Sequence, residues 1–159
     1  MPYTILRFKK DKGGAIAGCE RHNERKKEAY KSNPDIDISR TKYNYHIIQA
    51  PKYTYGRKIK ELIKEYECKT RKDSIKLVET LITASPEFMS KLSEREQKEY
   101  FERATEFMKS EIGEDRIISA VVHMDEKTPH MHLAFCPINK EGKLSAKSIL
   151  GNQKSLSEW

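Results

Sequence analysis

A chain of 159 residues with 36% hydrophobic and 35% charged residues is sized for one soluble domain with a real core. It carries no signal peptide and no apolar run of membrane-spanning length, and Cys19, Cys68 and Cys136 form no close pair, which argues against a disulfide framework and for a reducing cytoplasm. The net charge of +7 is uneven: residues 1–60 hold 15 Lys+Arg against 6 Asp+Glu, residues 61–159 hold 16 against 18, and a basic half fits a polyanionic partner as well as a lysine-rich solvated surface.

Tyr3 to residue 9 reads as a strand, followed by a loop at Lys10-Asp-Lys-Gly-Gly14. Residues 15–30 read as a helix with a poor apolar stripe, leaving much of it to solvent or ligand. Thr41 to Gln49 reads as a strand. Residues 57–67 form an amphipathic helix, with Ile59, Leu62, Ile63 and Tyr66 at i, i+3, i+4, i+7. The β-branched content of residues 74–84 favours a strand over a helix. Ser93 and Glu96 make a capping box. The helix behind it carries Tyr100, Phe101, Ala104, Phe107, Met108 and Ile112 on one face and stops at Gly113. Strands at 116–123 and 130–138 follow, then a turn at residues 140–143 and a polar segment. The sum is an α+β domain: a mainly antiparallel central sheet backed by helices on one face. Tyrosines and phenylalanines interleaved with the basic residues, Tyr43, Tyr45 and Tyr53 among them, suit either core packing or stacking on unpaired bases.

Chemistry concentrates in His123-Met-Asp-Glu126-Lys-Thr-Pro-His130-Met-His132, which holds three of the five histidines and two carboxylates. His130 and His132 are two apart, so on a strand both leave the same face. The turn chemistry of residues 125–129 folds the strand of His123 back beside them. A lone strand histidine is more often packed than ligating. Three converging imidazoles with an open fourth position instead suit a catalytic divalent metal. All-nitrogen ligation favours a transition metal, Mn²⁺, with Mg²⁺ as the alternative. Structural zinc competes poorly, since the cysteines are isolated. Glu126 suits an acid–base role or a fourth ligand position. Asp125 is an acceptor for a ligand imidazole or simply a turn residue.

The run HMDEKTPHMH resembles the third motif of the Pre/Mob plasmid mobilization relaxases, the MobV-type branch of the HUH nucleases. Residues 19–47, CERHNERKKEAYKSNPDIDISRTKYNYHI, are similar to the amino-terminal block of that family. KLVETLITASPEF (76–88) resembles its middle, and LSAKSILGNQKSLSEW (144–159) the stretch after the last motif strand. The resemblance implies the HUH relaxase fold, with the histidines on a central strand pair. It implies metal-dependent, strand-specific nicking and joining of DNA at a plasmid origin of transfer, with a hairpin and adjoining single strand as partner. Most HUH nucleases use tyrosine, for which Tyr43 and Tyr45 are candidates. The MobV-type branch is associated with a histidine nucleophile, which here falls on His22. Arg25 is i+3 from it on a helix and suits a bidentate grip on phosphate. Arg40, Lys42, Asn44 and Tyr45 belong to the block similar to the family's Asn-Tyr motif and become candidate DNA contacts. His46 stands where members commonly carry an acid, so it reads as structural.

Family members are much longer, so residues 1–159 read as a relaxase domain from a longer protein, with oligomerisation and coupling contacts in the part beyond. Two other classes fit: a rolling-circle replication initiator, marked by a tyrosine adduct, and a metal-stabilised, non-enzymatic DNA-binding repressor. A phosphoesterase with no covalent step fits less well.

Overall fold

The computed structural model describes residues 4–26 and 33–151. Five strands form one antiparallel sheet: β1 (Thr4–Asp11), β2 (Tyr45–Ile48), β3 (Leu77–Ala84), β4 (Ile117–His123) and β5 (His130–Phe135), in the order β1-β3-β5-β4-β2. The two histidine-bearing strands, β4 and β5, are central and pair directly. His123 lies opposite His130, and Val121 opposite His132. Five α-helices complete the described fold: α1 (Ile16–Asn23), α2 (Tyr55–Glu65), α3 (Pro86–Lys91), α4 (Glu94–Ile112) and α5 (Ala146–Leu150).

Period-two alternation divides the sheet into two unlike faces. Val78, Ile82, Ala120, Val122, Met131, Leu133 and Phe135 point to one side and meet Met89, Phe101, Met108, Ile112 and Leu150 from α3, α4 and α5. The other face carries a smaller cluster, in which Leu77, Ile118 and Ala134 meet Ile16 of α1 and Tyr55, Ile59 and Leu62 of α2. Helices therefore cover both faces, not one. The weak stripe of α1 hides this in the sequence, because α1 lays polar rather than apolar residues on the sheet.

The α4 capping box forms as expected. Ser93 Oγ accepts from Glu96 N at 3.2 Å and Glu96 Oε1 from Ser93 N at 3.1 Å, so two orphan donors of the first turn are satisfied. Gly113 ends α4 with φ 101°. Phe107 lies off the stripe and is exposed.

Three expected elements differ. The strand expected at Thr41–Gln49 begins only at Tyr45. Ahead of it, Ile38–Tyr43 wind into a 3₁₀ helix capped by Asp37, whose carboxylate accepts from Ser39 N at 3.0 Å. The α1 helix stops at Asn23, because Arg25 turns to φ 52°; residues 27–30 of the expected helix, like Tyr3, lie outside the described residues. The polar segment after the turn at 140–143 contains α5, capped by Ser145.

Candidate metal centre and nucleophile

β4 and β5 bring His123, His130 and His132 together, with ring centroids 4.7 to 5.4 Å apart. His123 is fully buried and His132 nearly so. Each ring has one nitrogen committed. His123 Nε2 lies 2.8 Å from the carbonyl of Asn23, His130 Nδ1 lies 2.8 Å from the carbonyl of Thr128, and His132 Nδ1 lies 2.9 Å from Glu79 Oε1. Carbonyls and carboxylates only accept, so those nitrogens carry the hydrogens. Lone pairs are left on His123 Nδ1 and His132 Nε2, both buried without a hydrogen-bond partner, whereas His130 Nε2 is paired with Glu126 Oε2 at 2.6 Å. Buried imidazole nitrogens kept free by partners on the opposite nitrogen are what a metal-binding set requires. Burial, reinforced by His132 and Arg25, pushes the His123 pKa down to about 2, which keeps the ring neutral.

Among the described residues, potential ligand atoms fall into two overlapping groups, each within 4.8 Å: His22, His123 and His132, and His123, Glu126 and His130. The three expected ligands span both. The remaining members are the two residues expected to do chemistry, His22 and Glu126.

His22 sits in the last turn of α1, with its ring 5.9 Å from that of His123 and 5.5 Å from that of His132. Burial first, then His132 and Arg25, lower its pKa, so the neutral nucleophilic form dominates. Each member of the His22-Asn23-Glu24-Arg25 block has a separate task. The Asn23 carbonyl fixes His123. Glu24, nearly buried, bonds to the Tyr55 hydroxyl, to Ser119 Oγ at 3.0 Å and to His46 Nε2 at 2.6 Å, which seats α1 on the sheet. His46 is thus structural, as expected.

Arg25 is not placed to grip phosphate as the sequence suggested. Its Nε and Nη2 reach Asp125 at 2.9 and 2.8 Å, and its Nη1 donates to the His22 carbonyl at 3.0 Å. Its side chain is 5% exposed and that of Asp125 0%. Asp125 is held first by Arg25. It also accepts from Thr41 Oγ1 at 2.8 Å and Asn44 Nδ2 at 3.1 Å, while Asn44 Oδ1 accepts from Met124 N at 2.6 Å. Asp125 therefore ties the end of α1, the 3₁₀ segment and the β4–β5 turn into one unit. Asn44 serves that tie through both ends of its amide.

Glu126 accepts from Asn33 Nδ2 at 2.7 Å and lies 3.7 Å from Arg25. Burial opposes its charge, but His130 and Arg25 overcome this and hold its pKa at about 2. An ionised carboxylate against His130 is better suited to ligation or to electrostatic work than to taking a proton at neutral pH.

The tyrosines lie elsewhere. Tyr45 pairs with Val122, and its ring packs among the α4-side core, on the face opposite the histidines. Burial pushes its phenol up to about 12. Tyr43 is exposed on the same side, and Arg40 and Lys42 are exposed in the 3₁₀ segment. Glu79, Glu24 and the Asn23 carbonyl were not singled out in the sequence. Glu79 had a signal: a carboxylate within a strand of otherwise apolar and threonine residues, Leu77–Ala84, has to find a partner.

Comparison with known proteins agrees with this geometry. The solved MobM relaxase domain (MOBV; Mob_Pre), Mn-bound and in complex with plasmid pMV158 oriT DNA, superposes with a TM-score of 0.90 at 34% identity, covering 98% of this chain and 80% of that one. A second MobM structure, bound to 26-nucleotide pMV158 oriT DNA, gives 0.78 at 30% identity over the same shares. The Staphylococcus aureus plasmid recombination enzyme type 3 is 40% identical over all of this chain, and the Bacillus thuringiensis plasmid recombination enzyme 38% identical over 98% of it. The chain spans 39% and 35% of the length of those two relatives. The family model for plasmid recombination enzymes, Mob_Pre, matches residues 1–159. With the MOBV relaxase fold and a histidine cluster on its central strand pair, this chain belongs to the Pre/Mob plasmid recombination enzyme family.

Proposed function

We propose that the chain is the DNA-processing domain of a relaxase. It would cut and rejoin one strand at a plasmid origin of transfer, with a hairpin and adjoining single strand as substrate. His123 Nδ1, His130 Nε2 and His132 Nε2 would hold a divalent cation, a transition metal by the chemistry of the set and Mn²⁺ by analogy with Mn-bound MobM, with Mg²⁺ the alternative. That cation would polarise the scissile phosphate. The His22 imidazole lone pair forms a bond to phosphorus as the P–O3′ bond breaks. The 3′ oxygen keeps the electron pair and takes a proton, and the ring gives up its N–H proton to water, with ionised Glu126 beside the site as an electrostatic partner. The product is a 5′-phosphohistidine, and attack by a 3′-hydroxyl reverses the step. Arg25 and Asp125 act by holding the last turn of α1, and so His22, over the histidines. Arg40 and Lys42 are proposed DNA contacts because they stay exposed.

The observation that carries this reading is the neutral, partly buried His22 beside two orphaned imidazole nitrogens. Tyr45, on the other face, argues against a tyrosine-linked replication initiator. A second reading has its own support: His22 groups with His123 and His132 closely enough to be a ligand, as in a metal-stabilised DNA-binding repressor. Incubation with supercoiled plasmid from the native gene neighbourhood, in Mn²⁺ or EDTA, separates them. The relaxase reading expects a Mn²⁺-dependent nick with attached protein, lost in His22→Ala and kept in Tyr45→Phe. Binding without a nick, with weaker metal affinity in His22→Ala, supports the repressor and sinks the nicking claim.

A further inference from the structure

A pocket of about 480 Å³ lies between the 3₁₀ segment and α4, lined by Arg40, Tyr43, Tyr45, Glu94, Lys98 and Met124 among others. It opens on the face of the sheet away from the histidines. Tyr43 is 57% exposed, one of three large apolar side chains so exposed among the described residues. Its ring has Lys42 Nζ 5.3 Å from the centroid. Tyr45 forms a fixed wall, its ring packed on the core. Arg40 and Lys98 supply two cations to the lining, beside the carboxylate of Glu94, with the charge of Glu102 also felt at Tyr45. An aromatic platform, a rigid second wall and cations in the lining match an unpaired base with its phosphates.

We infer that this pocket is a second nucleic-acid subsite, which stacks one unpaired base of single-stranded DNA on Tyr43, on the opposite face from the metal centre. β2 is the edge strand, so a single strand passing that edge can reach both faces. The pocket is also tied to the chemistry. Asp37 N donates to the Asp125 carbonyl at 2.7 Å, and Thr41 and Asn44 bond to the Asp125 carboxylate. The segment bearing Tyr43 is thus fastened to the turn bearing Glu126 and His130. A base held there sets which phosphate of the strand reaches His22. The subsite is a register device, and it rests on the DNA-processing reading.

The test uses oligo(dT) carrying a single 2-aminopurine, moved stepwise along the strand, with the His22→Ala chain in EDTA so that nothing is cut. One position should show strong quenching. Tyr43→Ala should abolish that quenching and weaken Kd roughly tenfold, while Tyr43→Phe keeps both. Matching melting curves for the two variants exclude misfolding as the cause. Quenching by Tyr43→Ala equal to that of its parent overturns the subsite, as does a parent that quenches at no position. A separate plasmid-nicking arm isolates the other failure. A chain that quenches through Tyr43 but never nicks retains the stacking site and loses the proposed reaction. A chain that nicks, with KM and quenching unchanged in Tyr43→Ala, does the reverse.

Discussion

The two faces of the sheet are built on opposite principles. The α4 face is a continuous apolar layer, from Val78 through Phe135, closed by Phe101 and Met108. Its buried polar side chains are small hydroxyls: Thr105 bonds back to the Phe101 carbonyl at 2.8 Å, and Thr80 sits opposite Leu133. The α1 face buries His123, His132, Asp125, Glu20 and Asn23 beside a smaller apolar cluster. Burying such groups costs free energy unless each is paired. The first face stabilises the fold, and the second uses that stability to hold polar groups in fixed positions. The contrast teaches where unpaired polar capacity collects: both unpartnered imidazole nitrogens, His123 Nδ1 and His132 Nε2, lie on the α1 face and meet at one centre.

The largest expected effects set the faces against each other. Phe101→Ala, in the middle of the apolar layer, should cost about 3–5 kcal/mol in urea unfolding, equally in Mn²⁺ and EDTA. Asp125→Ala should cost a similar 3–5 kcal/mol, since it strands the Arg25 guanidinium in a dry site. Replacing both members of that pair, Arg25→Met with Asp125→Leu, should recover most of the loss. If Asp125→Ala alone unfolds like the parent, Asp125 is not the tie described above.

Next in size is the metal itself. Mn²⁺ at a hundredfold excess over its Kd should stabilise the folded chain by about 2.7 kcal/mol, seen as a rise in Tm that EDTA reverses. His132→Ala should remove that rise, and it should also lower the metal-free melt, because it leaves Glu79 without its partner. A Mn²⁺-induced rise that survives His132→Ala would place the cation elsewhere. Phe101→Ala, by contrast, should keep the full rise from a lower baseline.

This asymmetry also governs what was legible in the sequence. Apolar alternation and the 3.6-residue stripe located β4, β5, α2 and α4, because on those elements burial follows hydrophobicity. The HMDEKTPHMH run located the histidine cluster, because a spacing of two on a strand fixes a common face. The long-range polar pairs were not legible. Arg25 and Asp125 are 100 residues apart, and a spacing of three from His22 suggested a phosphate grip where the fold supplies a carboxylate. The 3₁₀ turn at Ile38–Tyr43 was hidden for the same reason. Its alternating residues, Thr41 to Tyr45, fit a strand locally, and only bonds from Thr41 and Asn44 to a distant Asp125 decide otherwise. The face that Tyr45 takes was not legible either: the register opposite Val122 turns it away from the histidines.

The smallest effect probes the polar face most finely. Glu79 lies on β3 beside β5, opposite Ala134, and reaches diagonally to His132 Nδ1. Burial would raise its pKa, but the His132 hydrogen bond and charge outweigh burial and hold it ionised. That charge raises the basicity of His132 Nε2, the nitrogen aimed at the centre, and fixes its tautomer. Glu79→Gln keeps an acceptor oxygen and loses the charge, so Mn²⁺ affinity by calorimetric titration should fall by roughly tenfold. Glu79→Ala loses both and should fall by roughly a hundredfold, near 2.7 kcal/mol. The urea midpoint in EDTA should move far less than in Phe101→Ala, since no apolar core is disturbed. The graded loss is the diagnostic point: a purely structural Glu79 would change stability and leave the Mn²⁺ Kd alone, whereas a residue acting through His132 changes Kd in proportion to what remains facing Nδ1.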